Sequence, residues 1–415
     1  MNALILVVMS GALCLGQAPP KNKETSRTKG TTKTREATKS SEPAKETTKE
    51  QELASDQTLG QLDVVATFDG AMPTGVSVAD NGRVFVTFPR WGDDVEATVA
   101  EVMEGRAAPY PNAEINRYRE GDDPGSKFIS VQNVVVDPGG NRLWIVDTGA
   151  IQMGPVKEGG AKLVAVDLSS GQIVKKIIFP SDVALHNSYL NDVRFDLRRG
   201  AEGTAFLTDS TSAGPNGIIV VDLASGKSWR RLNDHPSTKP DLGFVPVVEG
   251  KILRLRPPGQ PSTKFAVGSD GIAISPDRKT LYYCPLTSRH LYSVSTDALA
   301  DRSRSDEEVA ATVRDLGEKG GASDGLESDA QGRLYLSDYE HNAVRRRSLD
   351  GEIETLAHDP RMLWPDTLSL AANGFLYFTA NQVERQPVFN SGRDLRQKPY
   401  VLFRLKVSGT RIRVP

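Results

Sequence analysis

Cysteine is nearly absent from this 415-residue chain, which has only Cys14 and Cys284. Cys14 falls in a segment with the features of an export signal. A mature chain would then keep Cys284 alone and form no internal disulfide. Cys284 closes a strand-like run, Leu281-Tyr282-Tyr283-Cys284, and no electropositive neighbour in the sequence would activate its thiolate. It reads as a small buried hydrophobe. The five histidines (His186, His235, His290, His341, His358) fall in no metal-binding spacing, which argues against zinc. Neither charge sign dominates. With 51 basic and 53 acidic residues the formal charge is −2, so no long-range field draws nucleic acid or an anionic membrane. No apolar run reaches the roughly 18 residues of a transmembrane helix. A Walker loop, a dinucleotide fingerprint and a nucleophile elbow are all missing, so no nucleotide or redox cofactor is expected.

The longest apolar run, residues 3–15, is too short to span a bilayer and is followed by Gly16 and Ala18 near a plausible cleavage point. Residues 1–18 are therefore expected to be a signal peptide, and the mature chain to be secreted or extracytoplasmic with no membrane span. A lipoprotein anchored at Cys14 is the weaker reading, because Leu13 is bulky where a lipobox takes a small residue. A retained anchor is a third. Residues 19–58 are mostly Lys, Thr, Glu and Ser and cannot offset the entropy of ordering, which predicts a disordered tether.

What is plentiful is glycine (37) and proline (25), with short alternating apolar runs from residue 59 onward. One unit recurs at 73–87, 132–147, 191–209, 268–284, 322–338 and 364–379. Each copy reads as a strand, a polar Asp/Asn/Gly turn and a second strand. Third and fourth strands often follow, as at 162–167 and 172–179. Spacings of roughly 40–80 residues and four strands per unit predict an all-β, six-bladed β-propeller over 59–415. The last unit lacks a fourth strand. The strand near 61–68 is expected to supply it, closing the ring by pairing the N-terminal and C-terminal strands.

In a propeller the first strands line the central channel. The residues at their heads are Thr74, Asn133, Asp192, Asp270, Asp324 and Asp366. Carboxylates crowded on one axis repel unless a cation, bound protons or a cationic ligand relieves them. Oxygen-only ligation would suit Ca²⁺ or Mg²⁺, with Asp192, Asp270, Asp324 and Asp366 as candidate ligands. A structural alternative is that Asp270-Gly271 and Asp324-Gly325 shape tight turns. It does not cover Asp192, Asp366 or Asn133, which precede Val193, Thr367 and Val134. The second-strand ends (Asp147, Asp209, Asp338, Tyr339, Asn381) should reach the same face, as ligand contacts or as turn acceptors. Asp80, Asp137, Asp277 and Asp329 in the hairpin turns should lie opposite, in structural roles. Trp144 reads as core. Trp364 adjoins a ring position and divides evenly between core and pocket wall.

Several stretches resemble the Yellow/major royal jelly protein family, in the lean form of its bacterial members. They are Val84-Phe-Val-Thr-Phe-Pro-Arg-Trp91, Leu143-Trp-Ile-Val-Asp-Thr-Gly149, Tyr189-Leu-Asn-Asp-Val-Arg-Phe-Asp196 and Leu281-Tyr-Tyr-Cys-Pro-Leu286. The resemblance covers residues 62–407. It implies a six-bladed propeller, secretion and a central pocket that in some members takes small amines; some insect members are linked to dopachrome conversion. The repeats also resemble, more distantly, the regucalcin/gluconolactonase family, whose lactonases hold a divalent metal in the channel. Its aspartate matches Asp324, and its asparagine falls on Asp270. Its substrate motif is similar to Asn191-Asp192. Its first-blade glutamate is replaced by Thr74.

Three functions follow. First is a funnel that binds a small polar or cationic molecule, using Thr74, Asn133, Asn191, Asp192, Asp366, Trp364 and Asn381. Second is a metal-dependent lactone or ester hydrolase in which Asp324 or Asp270 moves the proton. Third is a scaffold whose rim takes protein partners. Thr74 in place of a glutamate favours the first.

Overall fold

A computed structural model describes residues 56–413. The expected signal peptide and most of the tether lie outside them. Six four-stranded antiparallel sheets form the six blades of a β-propeller. Their innermost strands are Val76–Val78, Val131–Val136, Leu190–Asp196, Ser269–Ile274, Ser323–Ser328 and Pro365–Leu370, numbered here as blades one to six. Each innermost strand touches the next, and the last touches the first. Blade six is completed by Leu62–Phe68, which pairs antiparallel with Tyr400–Lys406. The sheet thus closes the ring with strands from both ends of the described chain, as the repeat count predicts.

The sequence alternates because each blade face packs on its neighbour. Six clusters of buried apolar side chains fill the six seams, among them Trp144 against Phe195 between blades two and three. A second device stitches the seams. The same second-strand position carries Thr87, Thr208, Cys284 and Thr379. Their side chains donate to Gln132 O (2.8 Å), Asp270 O (2.7 Å), Ser323 O (3.8 Å) and Thr74 O (2.5 Å), all carbonyls at the head of the next innermost strand. Cys284 is buried, as expected, and serves as one of these stitches.

The heads of the innermost strands are not turns. In blades three to six the pairing with the second strand slips at Asn191-Asp192, Asp270-Gly271, Asp324-Gly325 and Asp366-Thr367. Such bulges turn a side chain away from the regular alternation. They aim the ring residues into the channel. The glycines serve the seam: a Cβ on Gly271 would stand 2.4 Å from Asp324 O, and one on Gly325 2.5 Å from Asp366 O. Neither has a left-handed backbone, so the turn alternative for these Asp-Gly pairs is replaced by close approach of neighbouring blades.

The pattern missed the connections. Two short ribbons, Val247–Val248 with Lys251–Ile252 and Arg254–Leu255 with Thr263–Lys264, sit between blades three and four. Helices Thr296–Ala300 and Asp306–Ala310 join the last two strands of blade four. Among the described residues no helix is long and apolar enough to cross a membrane. Gly325→Ala should cost about 1–3 kcal/mol through backbone displacement at the blade five to six seam. Urea unfolding would show it, with Gly82→Ala, where a Cβ meets nothing within 4 Å but sits at positive φ, as the strained but uncrowded control.

Candidate functional site

The bulged heads converge on a cavity of about 560 Å³. Its buried end is lined by Asp270, Asp324 and Asp366, and its sides by Trp91, Tyr189, Phe265, Trp364 and Phe389. The exposed Gln152 and Met153 mark its opening.

Asp324 is the centre of the acid group, electrostatically linked to both Asp270 and Asp366. Its Oδ2 also accepts from Trp364 Nε1 at 2.6 Å. Trp364 stacks on Tyr339 with centroids 4.1 Å apart and takes a left-handed backbone at φ 54°. That conformation costs a bulky residue about 1–3 kcal/mol and persists only where surroundings fix it. Here the stack and the carboxylate contact fix it. Asp366 Oδ2 accepts from Asn381 Nδ2 at 2.7 Å. Asn381 is fully buried and absent from the cavity lining, so it positions an acid instead of meeting a ligand.

Burial, followed by mutual repulsion, pushes Asp270 and Asp366 well above the usual carboxylate range. Burial also raises Asp324 to about 6, with Trp364 opposing the rise. Asp192, deeper in the channel, is pushed up to about 7 by burial even though Arg194 pulls it down. Near neutrality the group therefore holds protons in place of a full set of charges.

The other ring positions divide. Asn191 lines the cavity, and its Nδ2 donates to Ser210 Oγ at 3.1 Å. Thr74 and Asn133 are fully buried and do not line it. The Thr74 hydroxyl donates to Gln132 O at 2.8 Å, and Asn133 Oδ1 accepts from Val134 N at 2.7 Å. Both were expected to face the ligand; both instead satisfy backbone. In blade two it is Gln132 that reaches the cavity, because the slip between Val131 and Asn133 moves the inward position by one residue. Asp147, Asp209 and Asp338 are structural. Asp147 accepts from Ile129 N and Lys162 Nζ, Asp209 from Tyr189 N and Arg230, and Asp338 from Glu340 N and Arg345. Among the hairpin-turn acids, Asp137 accepts from Trp144 Nε1 and Asp329 from Arg333 Nε.

Besides Gln132, sequence reasoning missed five side chains. Trp91 and Tyr189 were inside quoted motifs but had no assigned role; Trp91 Nε1 donates to the Tyr189 hydroxyl at 2.7 Å, which donates on to Gln132 Oε1 at 2.8 Å. Phe265 and Phe389 come from connections, packed edge to face at 5.2 Å, and no repeat marks them. The fifth is Arg194. Its place two residues after Asp192 on one strand gives it the same face, a signal that was available.

These residues do not suit a resident divalent ion. The first-blade ligand position is Thr74, already bonded to backbone, and Arg194 Nη1 stands 3.9 Å from Asp192 Oδ2. Among the described residues no three of His, Cys, Asp and Glu are arranged to hold a metal.

The raised carboxyls carry a linkage consequence. A carboxyl whose folded pKa exceeds its unfolded value gives stability that is complete below the unfolded value and is lost as pH rises through the folded one. Asp324→Asn should therefore raise the melting temperature more at pH 8 than at pH 5, and thermal unfolding at both pH values checks it. An equal shift at both would remove the linkage.

The family model described as "Major royal jelly protein" matches residues 129–408. "Protein yellow" of Drosophila erecta is 27% identical over 256 residues, 57% of this chain and 43% of that protein. "Protein yellow" of Drosophila melanogaster matches to the same extent. The chain thus spans less than half the length of these relatives. The crystal structure of regucalcin from Agrobacterium tumefaciens, described as a calcium-binding protein, superposes with a TM-score of 0.50 at 14% identity, covering 85% of this chain and 98% of that one. At that identity the likeness concerns the fold alone.

Proposed function

We propose, from the premise that this chain belongs to the major royal jelly protein family, that its funnel binds a small organic cation such as an amine, outside the cytoplasm. The observation that carries the reading is the pairing of three buried acids with aromatic walls in one cavity. An ammonium group offers the acids a positive charge in place of protons. Aromatic faces attract the same charge, each by about 0.5–2 kcal/mol according to desolvation. Trp91, Tyr189, Phe265 and Phe389 supply faces that a purely polar ligand would not use. Bonding of Asp324 by Trp364, and of Asp366 by Asn381, fixes the acids before a ligand arrives, which limits the ordering cost of binding.

Titration of the purified protein with phenethylamine, read by calorimetry, tests this. Affinity should rise from about pH 5.5 to pH 8, because the carboxyls ionise while the amine stays protonated. It should fall as salt rises. Asp324→Asn should weaken binding about tenfold or more, and Trp91→Ala by about 0.5–2 kcal/mol. Affinity indifferent to Asp324→Asn and to salt would contradict the reading. Lactone hydrolysis that a chelator abolishes would favour the metal-dependent alternative.

A further inference from the structure

The acids of the channel need positive charge, and the chain supplies one itself. Arg194 projects from the innermost strand of blade three, 7% exposed, into the channel below the cavity. Its Nη1 donates to Val193 O at 2.8 Å, and its Nη2 reaches Leu326 O of blade five at 2.5 Å. Nη1 lies 3.9 Å from Asp192 Oδ2. Its Nε has no partner, and Asp192 Oδ1 has none either. Asp324, Glu327, Asp270 and Asp366 are the other acids whose fields meet that of Asp192 here.

Around the guanidinium stand one carboxylate and two backbone carbonyls. Hard oxygens of those two kinds are what Ca²⁺ takes, at about 2.3–2.6 Å. The guanidinium already uses both carbonyls, and a second cation at contact distance from it would be repelled with little solvent to screen the two. We propose that Arg194 is a specificity-determining residue: a tethered cation that occupies the oxygen-lined position beside Asp192, excludes divalent ions from it, and leaves Asp270, Asp324 and Asp366 to a ligand with a single positive charge. The last clause rests on the amine reading. The exclusion of metal does not, since it follows from where the guanidinium sits.

The test is metal binding, which separates this inference from the ligand reading. Ca²⁺ and Mn²⁺ are titrated into the wild-type protein and into Arg194→Lys, Arg194→Gln and Arg194→Met, with melting temperature and calorimetry as readouts. Wild type and Arg194→Lys should show no saturable binding at about 1 mM free calcium, a level at which weak oxygen sites fill. Arg194→Gln should gain one stoichiometric calcium, at least tenfold tighter than any wild-type response, and melt higher as calcium rises. A stoichiometric calcium in wild type would overturn the proposal, and so would folded Gln and Met variants that both ignore metal. Should neither neutral variant fold without metal, recovery of folded protein only when calcium is present would support it, and failure with calcium present would count against it. An amine titration that fails while Arg194→Gln gains calcium would sink the ligand reading and leave this one standing.

Discussion

Closing six twisted sheets into a ring forces six strand heads onto one axis, and in this chain four of those heads carry aspartate. Buried carboxyls at that distance cannot all be ionised, so the site must hold protons, an internal cation or a ligand. Each main feature of the funnel answers that constraint. Raised pKa values are the proton answer, and Arg194, beside Asp192, is the internal one. The aromatic walls favour an external cation over water.

The ring is held against its own repulsion by backbone geometry. Bulges point the acids inward, while Gly271 and Gly325 let each head pass under the next blade's carbonyl. Thr208 and Cys284 pin those same heads from the neighbouring blade, and Thr379 pins the head of blade one. On the opposite face Arg411 donates to Val136 O and Asp137 O of blade two and to Asp80 of blade one. Thr410 O accepts from Ala330 N of blade five. The last described segment therefore ties blades one, two and five together. A scaffold over-determined in this way can carry a left-handed Trp364 and a cluster of unfavourable charges that a looser one would relax.

Much of this was legible in the sequence because a propeller repeats. Equivalent positions are found by alignment of the copies, so the fold, the N-terminal closing strand, Cys284 in the core and the three cavity acids follow from register. What failed to read out was whatever the repeat does not encode. A bulge shifts register by one residue without leaving a residue-type signature, which is why Asn133 was placed in the ligand path and Gln132 was overlooked; Thr74 is instead turned aside by its contact with a backbone carbonyl of the next blade. Phe265 and Phe389 lie in connections that occur once. The Asp-Gly pairs left a turn alternative open because glycine's role there, close approach of a neighbouring blade, depends on a contact far away in sequence. Arg194 is not marked by the repeat for a plainer reason: it lies past the strand head, two residues beyond Asp192 on the same strand.

The central claim is that the funnel stores protons which a cation displaces. Calorimetric titration of phenethylamine at pH 6.5, in two buffers of different ionisation enthalpy, measures that exchange directly. The account predicts that the observed enthalpy differs between buffers with the sign of net proton release from the protein, and that Asp324→Asn reduces the difference. Saturable binding with the same enthalpy in both buffers would mean that no proton leaves the acids, and would contradict it.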